Sequence, residues 1–299
     1  PMAKQKVIIT IAPTGGLGTK EMNPEIPTQP QEIADDVFKC YEAGASVVAV
    51  HARKPDDTAT CDEAIYRDIN ERIRAKCDII VNNSTGGGAN GEMLEPAPGG
   101  AYAMDWNMRM RGVEAGAEIC THDAVSAATY AFGETVYMLT PLPKSRELAQ
   151  RMKELGIKPE WECFGPHNML DPLTLIKEGL DEPPYIFNFV LGVQHGIQGA
   201  MPFSMKTLQT MVDMLPKEAI FTVSGIGPAQ LPAAMGALLC GGHVRVGLED
   251  NMYYSRGVLA NNLQLVERLA RQVDEMGYEP ATTAEARSML GVPRPPQAV

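Results

Sequence analysis

"GGHVRVGLEDN" (241–251) sets an arginine, a glutamate and an aspartate into a stretch that otherwise reads as the wall of a buried strand. In a strand, alternate residues share a face: Val244, Val246 and Leu248 form an apolar set, while His243, Arg245, Gly247 and Glu249 form the opposite one. Asp250 follows at the strand end. A half-exposed antiparallel strand with a wet polar face accounts for this pattern. So does a barrel strand whose polar side chains point inward at its carboxyl end, where barrel enzymes carry their chemistry. The rest of the chain decides between them.

Seven further short candidate strands occur at 6–16, 46–53, 78–88, 101–108, 159–165, 185–193 and 219–227, most of them β-branched. Helix-like patterns lie between them. In "PQEIADDVFKCYEAGA" (30–45), Ile33, Val37, Phe38 and Tyr41 recur at helical spacing and Gly44 can end the helix. Others lie at 171–180, 204–216, 228–242 and 257–277. Strand alternating with helix implies a parallel sheet, and eight units predict an α/β (β/α)8 TIM barrel with an extra C-terminal segment; a doubly wound open sheet is the other solution. Five of the seven other strand ends are polar or glycine-rich in the same way: "PTGG" (13–16), "HAR" (51–53), "NNSTGGG" (82–88), "DWN" (105–107) and "SGIG" (224–227). That repetition favours the barrel. No repeat or linker divides the chain, so residues 1–299 read as one barrel domain, with an irregular insertion at about 109–150 and a Pro-rich tail at 291–299 that reads as an arm to a neighbouring subunit.

The 26 basic and 37 acidic residues give a formal charge of -11, which argues against nucleic-acid binding. Six cysteines without a CxxC pair fit the reduced thiols of a cytoplasmic protein. No apolar run is long enough to span a membrane, and the start has no apolar leader with a cleavage site. Pro1, standing before Met2, reads as a cloning remnant.

In "SVVAVHAR" the inward set is Val47, Ala49, His51 and Arg53. Strands two and eight flank strand one, which puts their axes about 9–10 Å apart. His51 and Glu249 can therefore share an ion, although a lone histidine is more often simply packed. "NNSTGGG" offers Ser84 and Thr85 as hydroxyl donors, and Gly86 and Gly87 with open backbone N–H groups for an anion. A tight strand-to-helix turn would need the same glycines. "SGIG" before the seventh helix is a short anion-binding candidate.

Together, "ITIAPTGG", "PEIPTQPQEIADD", "EAGASVVAVHAR", "IIVNNSTGGG", "AMDWNM", "PEWECF" and above all "GGHVRVGLEDN" resemble the β-keto acid cleavage enzymes over nearly the whole chain. The resemblance implies an oligomeric barrel, expected to be a tetramer, that converts a β-keto acid and acetyl-CoA into acetoacetate and a new acyl-CoA. It also implies a divalent metal, zinc being the expected one, held by an H-x-H pair and the glutamate of "GLED". By position the second histidine is His51 and the glutamate is Glu249. Ala49 stands in the place of the first histidine, and His122 in "CTHDA" (120–124) is a candidate to complete the shell.

The resemblance further assigns substrate deprotonation to Asp250 and its orientation to Arg245. It places Ser84, Asp105 and Asn107 at substrate contacts, and Glu162 at the position that recognises the substrate's distal group. Two other classes stay open. One is a metal-independent carbon–carbon lyase or isomerase using Asp250 and Arg245; the other is a non-catalytic barrel that binds an acid or a CoA ester.

Overall fold

The computed structural model describes residues 4–293. Eight parallel strands close on themselves in chain order: β1 (Ile9–Ile11), β2 (Val47–Val50), β3 (Ile80–Asn83), β4 (Ile119–His122), β5 (Lys158–Cys163), β6 (Tyr185–Leu191), β7 (Ala219–Gly225) and β8 (His243–Val246). Closure runs through β8 and β1, with Arg245 opposite Thr10. The TIM barrel expected from the alternating runs is the observed fold.

Helices α1 (Pro30–Glu42), α2 (Glu63–Arg74), α3 (Trp106–Arg111), α4 (Leu142–Glu154), α5 (Leu170–Lys177), α6 (Met205–Asp213), α7 (Gln230–Leu239) and α8 (Asn262–Glu275) follow the strands. α1 shows why they form where they do. Pro30 opens the first turn, Glu32 reaches back to the backbone N–H of Gln29, and Ile33, Ala34, Val37 and Cys40 are buried on one face. Gly44, at φ +114°, turns the chain out of the helix toward β2. Val244, Val246 and Leu248 pack into this same layer between barrel and helices, as the alternation in the opening stretch requires.

The extra C-terminal segment seals the barrel's far end. Helix α9 (Thr283–Leu290) sets Ala286 and Leu290 against Ile8, Val47, Ile80, Ile119 and Ile186, the inward residues at the strand starts. That end is an apolar plug, which leaves the carboxyl ends of the strands as the open mouth. Residues 294–299, most of the tail read as an arm, lie outside the described residues.

One strand differs from expectation. Residues 101–108 do not make the fourth barrel strand: Tyr102–Met104 belongs to a separate four-stranded sheet with 94–96, 127–131 and 134–138, and Trp106 starts α3. The barrel strand is 119–122, inside the region read as an irregular insertion, and α4 lies there too. Both runs are β-prone locally. Closure chooses the second, because β4 must pair with β3 on one side and β5 on the other, and 119–122 makes both pairings. The displaced sheet roofs the barrel mouth, contributing Met104, Thr129, Tyr130 and Met138 to the cavity beneath it. Among the described residues no helix is long and apolar enough to cross a membrane.

Candidate active site

A cavity of about 210 Å3 lies at the carboxyl ends of the strands, lined by His51, Ser84, Asp123, Glu162, Arg245, Glu249 and Asp250 among others. Arg245, on the inward face of β8, is its electrostatic centre. Its guanidinium donates twice to Asp250, at 2.8 and 2.9 Å, once to Glu249 Oε1 at 2.7 Å, and approaches Glu162 Oε1 at 3.5 Å. Burial alone would weaken its charge, but Asp250 and Glu249 outweigh it and hold Arg245 firmly protonated.

The two carboxylates that share this arginine diverge. Burial pushes the Glu249 carboxyl up, yet Arg245 and His51 overcome it and bring it down to about 2. Burial raises Asp250, and the negative Glu249 beside it adds to that rise against the pull of Arg245. The pair titrates jointly, with Asp250 the stronger base.

His51 meets Glu249 across β1, Nε2 to Oε1 at 3.2 Å, as the strand spacing predicts. Its Nδ1 lies 2.6 Å from the Gly87 carbonyl, a contact that requires the proton on Nδ1 and leaves Nε2 toward the carboxylate. The loop glycines make this closeness possible. Gly15 sits at φ +67° with a Cβ position only 2.7 Å from Glu249 Cγ, and a Cβ on Gly16 would lie 2.2 Å from the Gly87 oxygen. Arg53, which shares a strand face with His51, turns instead into the β1 loop and donates to the carbonyls of Gly15 and Gly18.

The opposite wall is acidic. Burial raises Glu162 well above the usual carboxylate range, with the charge of Asp123 and a hydrogen bond to it adding to the rise. Asn188 donates to Glu162 at 3.1 Å and accepts from Ser224 at 2.7 Å. Asp123 Oδ1 is buried without a partner among the described residues. Gly86 makes room for it, since a Cβ there would stand 2.8 Å from Asp123 Oδ2.

The sequence-derived residues do not all converge. His51, Ser84, Gly86, Gly87, Glu162, Arg245, Glu249 and Asp250 line the cavity. Thr85 does not; its hydroxyl donates to the Thr121 carbonyl and straps β3 to β4. Asp105 caps α3 through Met108 N, and Asn107 is exposed on that helix, because 101–108 leaves the barrel. Neither lines the cavity.

His122 faces outward from β4. It packs on Trp161, ring centroids 4.6 Å apart, and its Nε2 reaches the Ser145 carbonyl, so it cannot complete a metal shell inside the barrel. The residue missed at this strand end is Asp123, immediately after His122. The acidic residue closing the β-prone run "EICTHD" was the available signal.

The family profile of the beta-keto acid cleavage enzymes matches residues 6–292. The chain belongs to the beta-keto acid cleavage enzyme family. A 3-keto-5-aminohexanoate cleavage enzyme of Fusobacterium nucleatum is 36% identical over 289 residues, covering 96% of this chain and 98% of that one. A 3-dehydrocarnitine:acetyl-CoA trimethylamine transferase of Rhizobium meliloti is 33% identical, covering 96% of each chain. A solved complex of ObcA with oxaloacetate superposes at a TM-score of 0.72 over 90% of this chain and 68% of that one; at 17% identity it is a likeness of fold.

The metal expected of such a beta-keto acid cleavage enzyme meets an incomplete donor set. His51 Nε2 and Glu249 stand together, and Glu249 Oε2 is buried without a hydrogen-bond partner among the described residues, so two donors suit a divalent cation. A catalytic zinc takes three ligands from the protein. Ala49 has no donor atom, and among the described residues no group of three His, Cys, Asp or Glu side chains converges to hold an ion. The residues present therefore fall one ligand short of a catalytic zinc site.

Proposed function

We propose that this barrel transfers the acyl group of a β-keto acid to coenzyme A, using acetyl-CoA and releasing acetoacetate. The observation that carries this reading is the bidentate grip of Arg245 on Asp250 at the barrel mouth. It aims a buried carboxylate of raised proton affinity into a cavity sized for a short acid.

Asp250 takes a proton from C2 of the keto acid. The resulting carbon nucleophile bonds to the acetyl carbonyl and expels the CoA thiolate. The thiolate then adds to the original C3 carbonyl, the C2–C3 bond breaks, and the proton returns to C2, giving acetoacetate and the new acyl-CoA. Arg245 fixes the base and remains cationic beside the developing negative charge. The Ser84 side chain lies in the same cavity as a hydrogen-bond donor to the substrate's oxygens.

The acidic wall favours a keto acid with a cationic or proton-donating distal group. Asp123 and Glu162 would face that group, and the two relatives' names carry an amino group and a trimethylamine. His51 and Glu249 are the two chain donors of an inherited divalent-metal site whose third position Ala49 leaves empty of ligands; zinc is the ion to test. A homotetramer in the cytoplasm completes the proposal, and light scattering reads the subunit count.

Incubation with β-keto acids and acetyl-CoA tests the reaction, with products identified by mass spectrometry. Acetoacetate and the new acyl-CoA are expected in equal amounts, only when acetyl-CoA is present, and fastest with amino-bearing substrates. Plain decarboxylation or thioester hydrolysis would defeat the reading.

A further inference from the structure

Next to the mouth cavity lies a second one of about 820 Å3. It runs between the segment entering α7, with Pro228, Leu231 and Pro232, and a hairpin formed by Tyr253–Ser255 and Val258–Leu259. Ile226, Glu249 and Asp250 line both cavities. The base therefore stands at the junction of two spaces of different size.

Size separates their occupants. Small-molecule sites commonly run about 300–1,000 Å3. At about 210 Å3 the mouth cavity takes a short acid and leaves no room for the nucleotide arm of a CoA thioester, whereas 820 Å3 suits a larger ligand.

Charge separates them as well. The mouth has an acidic wall; the larger cavity is lined by Arg256 and Arg268. In a chain with eleven more acidic than basic residues, neither of these arginines has a carboxylate partner among the described residues. Arg256 stands exposed at the hairpin turn, its side chain without a hydrogen bond among the described residues. Arg268, on α8, stacks 4.2 Å from the Tyr254 ring centroid and donates to the Tyr254 carbonyl, leaving the rest of its fork free. Two unneutralised guanidiniums lining one cavity are suited to phosphate groups. Tyr253 adds an aromatic surface, 49% exposed, for a base to stack on.

We propose that this second cavity binds the nucleotide arm of coenzyme A, with Arg256 and Arg268 on its phosphates and its thioester end passing Ile226 to reach Asp250. The proposal rests on the acetyl-CoA reading above. It adds a phosphate subsite outside the barrel mouth, on the hairpin and α8.

Calorimetric titration of the full chain with coenzyme A and with pantetheine, which lacks the nucleotide, tests it. The ratio of the two dissociation constants isolates the nucleotide's contribution. Arg256→Glu is expected to shrink that ratio ~10-fold by weakening coenzyme A alone, and Arg256→Lys to keep most of it. Arg256 is exposed, and melting curves verify that each variant folds. If the wild type binds coenzyme A and Arg256→Glu leaves the ratio unchanged, the cavity assignment falls while the acetyl-CoA reading survives. If the wild type binds neither compound, the acetyl-CoA reading falls and takes this proposal with it.

Discussion

Asp250 has two neighbours that pull its proton affinity in opposite directions. Arg245 favours the carboxylate, whereas burial and the adjacent Glu249 favour the acid, and the net rise makes Asp250 the better base of the two. Asp250→Asn keeps the side-chain volume and removes the base, and Arg245 retains Glu249 and Glu162 as partners. The expected outcome is a fall in kcat of roughly 10²–10⁴-fold with the fold preserved, checked by steady-state kinetics beside circular dichroism; an unchanged kcat would remove Asp250 from the base role. At this scale the sequence was legible where a residue follows strand parity. Arg245, Glu249 and His51 were all placed inward by alternation, and the structure brings them within hydrogen-bond reach. The same parity, once 119–122 is a strand, puts Asp123 on the inward side with Ile119 and Thr121 and His122 outside.

Strand β2 carries the clearest test of an element. Positions 49 and 51 point the same way, so a histidine introduced at 49 would project inward beside His51. Ala49→His is expected to tighten zinc binding by at least tenfold, because a third protein ligand completes the set on a rigid strand. Titration of metal-free wild type and variant against a zinc-buffered competitor measures the change. Equal affinities would mean that the His51–Glu249 pair is not the core of a metal site. Strand β4 shows where element-level reading fails. The run at 101–108 begins apolar and aromatic like a strand, and nothing local reveals that Asp105 caps a helix while Ile119 and Thr121 line a barrel. Pairing partners settle that question, and they lie about 40 residues away on either side.

At the scale of the molecule, the barrel wall buries two histidines on its two faces. His122 faces outward against Trp161, and His243 faces inward, accepting from the Ile8 N–H. Burial lowers both to about 4 from the ordinary 6.5. The unfolded chain gains these protons near pH 6.5 and the folded chain only near pH 4, so their contribution to stability is full above 6.5 and is lost as pH falls through that window, ~1.4 kcal/mol per pH unit for each. Glu160, Glu162 and Asp250, raised by burial, act in the opposite sense, so the comparison must be with a variant. Urea unfolding of wild type and His122→Gln between pH 6.5 and 4.5 is expected to show a shallower fall in the variant by one proton's slope; parallel curves would mean that His122 is not held neutral. The barrel, its polar mouth and the family are legible in one dimension, because β-strand alternation, helix periodicity and short motifs are local properties of the chain. Which run closes the barrel, what roofs the mouth, that α9 seals the far end, and that the cavity with Arg256 and Arg268 meets Asp250 emerge only in the folded chain. These depend on contacts between segments far apart in the chain, and such contacts are set by closure and packing of the whole.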